Sequence, residues 1–216
     1  MIVGREMLKN HKDLSNCIVT ADALHCQRRT AQEIVANGGD YILQIKDNQK
    51  NLKKASEIKL KDIKKHIKTV EKGHGRIDSR KISLITVTPT SIEFPHAETL
   101  IKVQRTSRKT DGILSRETSF YVSSISKDKF NLKTWLQTIR NHWGGIEIRN
   151  HWRKDACLLE DKTRSKNPNI VAALAMLRNC YLKLFEEQDK YKSLPALTET
   201  IAADVNLSYT MITGKL

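Results

Sequence analysis

The sequence predicts an α/β protein whose parallel strands and helices are interrupted by a β-rich insertion. Three observations predict it. Two short apolar runs, Cys17–Ala21 and Tyr41–Ile45, flank a helical pattern, and that order implies a parallel pair joined by a right-handed crossover. From about residue 70 to 131 the texture changes to alternating apolar and polar positions rich in Ile, Val and Thr, the pattern of half-buried strands. Helical periodicity then returns from Leu132 onward.

Residues 1–15 read as the end of a helix, with Met7, Leu8 and Leu14 as its apolar points. Cys17–Ala21 is apolar, β-branched and too short for a helix, so it reads as a buried strand with Asp22 at its C-terminal end. A helix follows over roughly Gln27–Ala36, with Ala31, Ile34 and Val35 on one face, and Asn37-Gly38-Gly39 stops it. Tyr41–Ile45 is the second strand. Sites in open parallel sheets lie beyond the C-terminal ends of strands, which singles out Asp22 and the Lys46-Asp47-Asn48-Gln49 segment. Residues 49–69 read as one lysine-rich helix carrying Leu52, Ile58, Leu60, Ile63 and Ile67. It is either a solvated face or a nucleic-acid contact. Gly73-His74-Gly75 is a turn signal, and Ser79–Thr88, Thr99–Thr106 and Glu117–Ser124 read as antiparallel strands. Helix returns over Leu132–His142 and, after an interruption, through Trp152. Asn167-Pro168 starts another, with Asn as cap and Pro as first residue, and Ile170, Val171, Leu174, Leu177, Leu182 and Leu184 as its apolar face. The tail beyond Tyr191 carries little signal.

Composition narrows the function. The 216 residues hold 38 Lys and Arg against 24 Asp and Glu, a net charge of +14, which points to a polyanionic partner, with nucleic acid first. The 39% hydrophobic content suits a globular core. The four cysteines, Cys17, Cys26, Cys157 and Cys180, form no Cys-x-x-Cys pair, which speaks against a zinc ribbon and for reduced thiols in a cytoplasm. No apolar run reaches membrane-span length and no signal pattern opens the chain, so no membrane partner is expected.

Chemistry concentrates in Asn141–Trp152 and the residues after it. Tryptophan pairs twice with histidine, at His142-Trp143 and His151-Trp152, around Glu147 and a ladder of cations, Arg140, Arg149, Arg153 and Lys154. A carboxylate can bind a metal ion while the cations hold phosphates. Glu147 could equally be a surface acid paired with those cations, and Asp22 a loop cap. Two carboxylates from distant segments meeting over a parallel sheet would meet the needs of two-metal phosphodiester chemistry. His142 and His151 match no zinc spacing. Trp143 and Trp152 are either core or stacking platforms for exposed bases.

Several segments together resemble the bacterial DDE insertion-sequence transposases, in the group that includes the H-repeat-associated proteins of Rhs elements. They are Val19–Gln27, Gly38–Tyr41, Asn48-Gln49, Lys72–Ile77, Tyr121–Ser124, His142-Trp143-Gly144 with Ile146-Glu147, His151-Trp152, Glu160-Asp161 and Asn167-Pro168. The resemblance implies a partial ribonuclease-H-like core, with residues 1–69 its first half, 70–131 the β-rich insertion, 132–190 the second half with the Glu helix, and 191–216 a tail. It implies that Asp22 and Glu147 are the second and third acids of a catalytic triad, that they hold Mg²⁺ with Mn²⁺ as a substitute, and that Lys154 completes a Glu-x6-Lys element. Arg140, Arg149, Arg153, Lys46, Trp143 and Trp152 would contact DNA.

The implied reaction is transposition. Water attacks the DNA at the transposon end, and the freed 3′-hydroxyl attacks target DNA. The family's leading acid lies upstream of the segment matching residues 1–15, so the expectation is a truncated transposase, inactive alone. Two local departures add to it: Gly144-Gly145 stands where the family has one glycine, and Ile148 where it has Asn. The alternative is a non-catalytic DNA-binding protein, an inhibitor or remnant. The expected partners are double-stranded DNA and a second copy or a full-length transposase, in a nucleoid-associated cytoplasmic setting.

Overall fold

The computed structural model describes residues 6, 8, 10, 13–73, 76–109, 112–143 and 152–213, with Gly73 and Trp143 described in backbone only. The chain divides into two compact units, Met1–His142 and Trp143–Leu216.

The first unit is built on one six-stranded mixed sheet. Its strands are β1 (Ile18–Ala21), β2 (Asp40–Ile45), β3 (Ile67–Gly73), β4 (Arg76–Thr86), β5 (Thr99–Lys109) and β6 (Leu114–Ser123), in the spatial order β1-β2-β6-β5-β4-β3. β1 and β2 are parallel, as the β-α-β order predicts, and every other pair is antiparallel. The crossover helix is α1 (Arg28–Ala36). Gly38 follows it at φ +82°, in the left-handed region, which an L side chain adopts only with strain. This explains why the helix stops where Asn37-Gly38 stands.

β2 is buried on both faces, which is why Tyr41–Ile45 is apolar but for Gln44. One face packs Tyr41, Leu43 and Ile45 with Leu100, Phe120 and Val122, beneath Ala31 and Ile34 of α1 and Leu52 of α2 (Lys50–Lys59). The other face packs Ile42, Ile82, Ile101, Val103 and Tyr121 beneath Trp135, Leu136 and Ile139 of a helix over Leu132–Trp143. Between β4 and β5 a single turn, α3 (Pro89–Ile92), is capped by Thr88 in a capping box. The helix over Leu132–Trp143 is therefore α4.

Among its described residues the second unit holds a π-helical turn over Arg153–Cys157, a 3-10 turn over Glu160–Lys162 and the α-helices α5 (Pro168–Glu186), α6 (Leu194–Ala203) and α7 (Val205–Thr213). Asn167 caps α5 through its side chain to the amide of Asn169 at 3.0 Å, as the Asn-Pro pair predicts. Leu182 and Phe185 pack against Leu194 and Leu197. The tail that the sequence left blank thus carries two helices.

One element differs from its sequence pattern. The lysine-rich segment read as one helix over 49–69 ends at Lys59, and Ile67–Gly73 is instead β3. The apolar positions Leu52, Leu60, Ile63 and Ile67 keep helical spacing, so periodicity alone could not end the helix. Pairing of Ile67 with Ile82 and Val70 with Ser79 decides it, because a strand neighbour outweighs weak local propensity. Among the described residues, no helix is long and apolar enough to cross a membrane.

Candidate active site

The site is built where the two parallel strands end. Thr20 lies on β1, and Asp22 follows it in extended backbone, φ −72° and ψ 178°. Residues i and i+2 of an extended chain point the same way, so Thr20 and Asp22 share a face. Asp22 caps a 3-10 turn over Ala23–His25, its Oδ1 accepting from the Leu24 amide at 3.1 Å. Ala23 and Cys26 anchor this turn in the core while Asp22 stays exposed. Burial pushes the Cys26 thiol up to about 12.

The turn is clamped from the neighbouring strand end. Asn48 Nδ2 donates to the Ala23 carbonyl at 2.5 Å. Gln49 Nε2 donates to the Cys26 carbonyl at 2.9 Å and to Gln27 Oε1 at 3.3 Å. Both donors sit in the 3-10 turn that follows β2, so the ends of both parallel strands form one unit. Lys46, at the start of that turn, is exposed. Asp47 is paired with Lys53 at 2.8 Å, and that hydrogen bond and charge hold its carboxyl below the usual carboxylate range.

α4 brings a third segment to the same place. His142 Nδ1 lies 2.9 Å from the Thr20 hydroxyl. Sequence reasoning missed this bond. The alternation that puts Thr20 beside Asp22 was available, but nothing in the pattern named His142 as its partner.

Of the cations, Arg140 is held by Glu71 of β3 in a two-pronged ion pair, with Nη2 to Oε2 at 2.9 Å. Arg80 reaches the same carboxylate at 3.1 Å. In the C-terminal unit, Arg153 pairs with Glu186 at 3.2 Å and lies over the Phe185 ring at 4.8 Å. Lys154 is half-buried in the π-helical turn. Trp152 is 57% exposed. Glu147 and Arg149 lie outside the described residues, as does the side chain of Trp143.

The donor chemistry tests the implied metal. Among the described residues, no three His, Cys, Asp or Glu side chains come together as a metal-binding group. Asp22 is a carboxylate suited to a hard divalent ion, exposed and oriented by the Leu24 amide. It supplies one carboxylate ligand, and Mg²⁺ is ordinarily held by one or two carboxylates together with water and substrate phosphates.

Comparison with known proteins bears on this arrangement. The transposase DDE domain family matches residues 3–183. The chain is 28% identical over 201 residues to "Putative protein YbfL" of Escherichia coli strain K12, covering 86% of this chain and 52% of that protein. It is 27% identical over 201 residues to the "H repeat-associated putative transposase YhhI" of the same strain, with 86% and 52% covered. It is 28% identical over 195 residues to "Putative transposase YncI" of Escherichia coli O157:H7, with 83% and 48% covered. The chain thus spans about half the length of these relatives. The family match runs over most of the sequence, strand ends and α4 included, and the chain belongs to the transposase DDE domain family.

Proposed function

We propose that the chain carries the DNA-processing site of an insertion-sequence transposase, cutting and joining DNA by two-metal phosphodiester chemistry on a ribonuclease-H-like core. The hydrogen bond between Thr20 and His142 carries this reading. His142 stands five residues before Glu147, and five residues reach roughly 18 Å at full extension and roughly 8 Å as helix. Chain length alone would therefore permit Glu147 to act with Asp22. Asp22 and Glu147 would hold Mg²⁺, or Mn²⁺ in its place.

When bound, the two ions supply activation of the attacking oxygen and neutralisation at the leaving oxygen. The chain's own residues do the rest. The Leu24 amide fixes the Asp22 carboxylate, so little reorganisation is needed on binding. Lys46, Arg140, Arg149 and Arg153 would hold the phosphates on either side of the scissile bond, and Lys154 would serve as the catalytic cation of the Glu-x6-Lys element. The ion pairs that engage Arg140 and Arg153 are partly exposed. Such pairs are worth about 0–1 kcal/mol, so a phosphate can displace the carboxylate. Trp143 and Trp152 would stack on unpaired bases.

A nicking assay on supercoiled and linear DNA, with Mg²⁺ or Mn²⁺, tests the reading. Metal-dependent nicking should vanish in Asp22→Asn and in Glu147→Gln. Nicking that survives both substitutions would sink the site. The rival reading, a non-catalytic DNA-binding protein, expects binding without cleavage and without any effect of metal.

A further inference from the structure

The distal part of the sheet, where β3, β4, β5 and β6 extend beyond β2, has two faces of different charge. On the face that α4 covers, the arginines are set against acids. Asp78 lies within 3.0 Å of Arg105, 3.5 Å of Arg80 and 3.6 Å of Arg76. Glu71 holds Arg80 and Arg140.

The opposite face differs. Register places Lys68 and Lys72 of β3, Lys81 of β4, Lys102 and Arg108 of β5 and Arg116 of β6 on it, with Ser79, Thr106 and Thr118 between them. No Asp or Glu occupies a paired position on this face. Among the described residues, every ion pair falls elsewhere. Lys102 is committed to the Leu60 carbonyl at 3.2 Å, where α2 ends over the face. Lys68, Lys72, Arg108 and Arg116 are exposed.

Charged residues on sheet edges discourage edge-to-edge pairing, and this would account for Lys68, Lys72 and Arg116. It does not account for Lys81 and Arg108, on strands with neighbours on both sides. Lys68 and Lys81 stand directly opposite each other on β3 and β4, roughly 5 Å apart. At that spacing they repel one another unless a polyanion lies across them. The cleft beside Asn48 fits such a polyanion less well, since it sets Arg28 and Lys50 against Asp47 and Glu93.

We infer that this sheet face is a docking surface for the phosphate backbone of duplex DNA. The inference rests on the reading of the chain as a DNA-processing protein, and adds a contact surface apart from the cations around Asp22 and Glu147. Its polar side chains are mainly cations and hydroxyls, suited to phosphates rather than base edges, with Val70, Ile77 and Leu114 exposed among them. Docking there carries no sequence preference.

The test is fluorescence anisotropy of the full chain on two unrelated duplexes across a salt series. Each lost phosphate contact removes about 0.9 from the slope of log affinity against log salt. The variant Lys68→Gln/Lys81→Gln/Arg116→Gln should lose about 2–3 units of slope and at least about tenfold in affinity, equally on both duplexes. The gentler Lys72→Gln/Arg108→Gln, at exposed distal positions, should lose about 2 units, so misfolding of the triple variant leaves the test intact. Lys127→Gln/Lys133→Gln/Lys192→Gln removes equal charge elsewhere and should stay close to the parent. Parent-like slopes in both face variants would overturn the docking surface and leave the DNA reading standing. No salt-dependent binding by the parent chain would overturn both. Loss confined to one duplex would overturn the phosphate mode. Loss on phosphatidylglycerol vesicles with duplex binding intact would assign the face to a lipid surface and overturn the inference.

Discussion

Asp22 is oriented by the Leu24 amide, and the turn that presents it is held by Asn48 and Gln49. The Ala23 carbonyl also accepts from the Cys26 amide, so Asn48→Ala leaves it partly satisfied and should cost about 1 kcal/mol. Asn48→Asp points a carboxylate at that carbonyl and should cost more, about 2 kcal/mol. Urea denaturation ranks the two, and a stable Asn48→Asp would show that the clamp does not exist. Asp78 makes a second prediction at this scale. Burial opposes its ionisation, but hydrogen bonds from Ser107 and Arg105 and the charges of Arg105 and Arg76 outweigh it, leaving its carboxyl below the usual range. A depressed folded value gives stability that is present above the unfolded value, near about 3.9, and lost as pH falls through the folded one. Asp78→Asn should therefore destabilise at pH 7, by about 1–2 kcal/mol given its half-exposed arginine partners. The gap should close in strong acid, and a gap that persists there would show that charge is not its source.

Among the elements, α4 ties the sheet to the site, because it buries Trp135, Leu136 and Ile139 and ends at the His142 bond to Thr20. Trp135 is fully buried and its Nε1 donates to the Lys127 carbonyl at 3.1 Å. Trp135→Ala should cost about 3–5 kcal/mol, while Lys133→Ala on the exposed side should stay within about 0.5 kcal/mol. Equal effects in a thermal melt would mean that α4 is not docked as described. This scale also shows what a sequence can reveal. α1 and β2 were legible because Asn37-Gly38 enforces a stop and β2 has neighbours on both faces. The start of α5 was legible because its cap is local. β3 was not, since lysine-rich sequence carries no stop signal and its strand state depends on β4. The site divides in the same way. Asp22 could be read from its place after a strand, and the Asn48 and Gln49 side chains could be noticed but not given a role. The Thr20–His142 bond joins segments that only the folded sheet brings together.

For the molecule as a whole, the proposed metal site draws on two acids far apart in the sequence, Asp22 and Glu147. A ligand that binds only the folded arrangement stabilises it by mass action, about 2.7 kcal/mol at a hundredfold excess over its dissociation constant. For a chain of this size, each kcal/mol moves the melting temperature by about 2–4 °C. Saturating Mn²⁺ or Mg²⁺ should therefore raise it by roughly 5–10 °C, and excess chelator should reverse the rise. Asp22→Asn and Glu147→Gln should each remove most of the shift. The double variant should remove little more than either single one, because the two carboxylates act on the same ions. The surface lysines bind divalent metal poorly, so a shift of equal size in all four proteins would come from bulk ionic screening of the +14 charge. That result would detach Asp22 and Glu147 from metal binding and leave the basic surface as the chain's main functional feature.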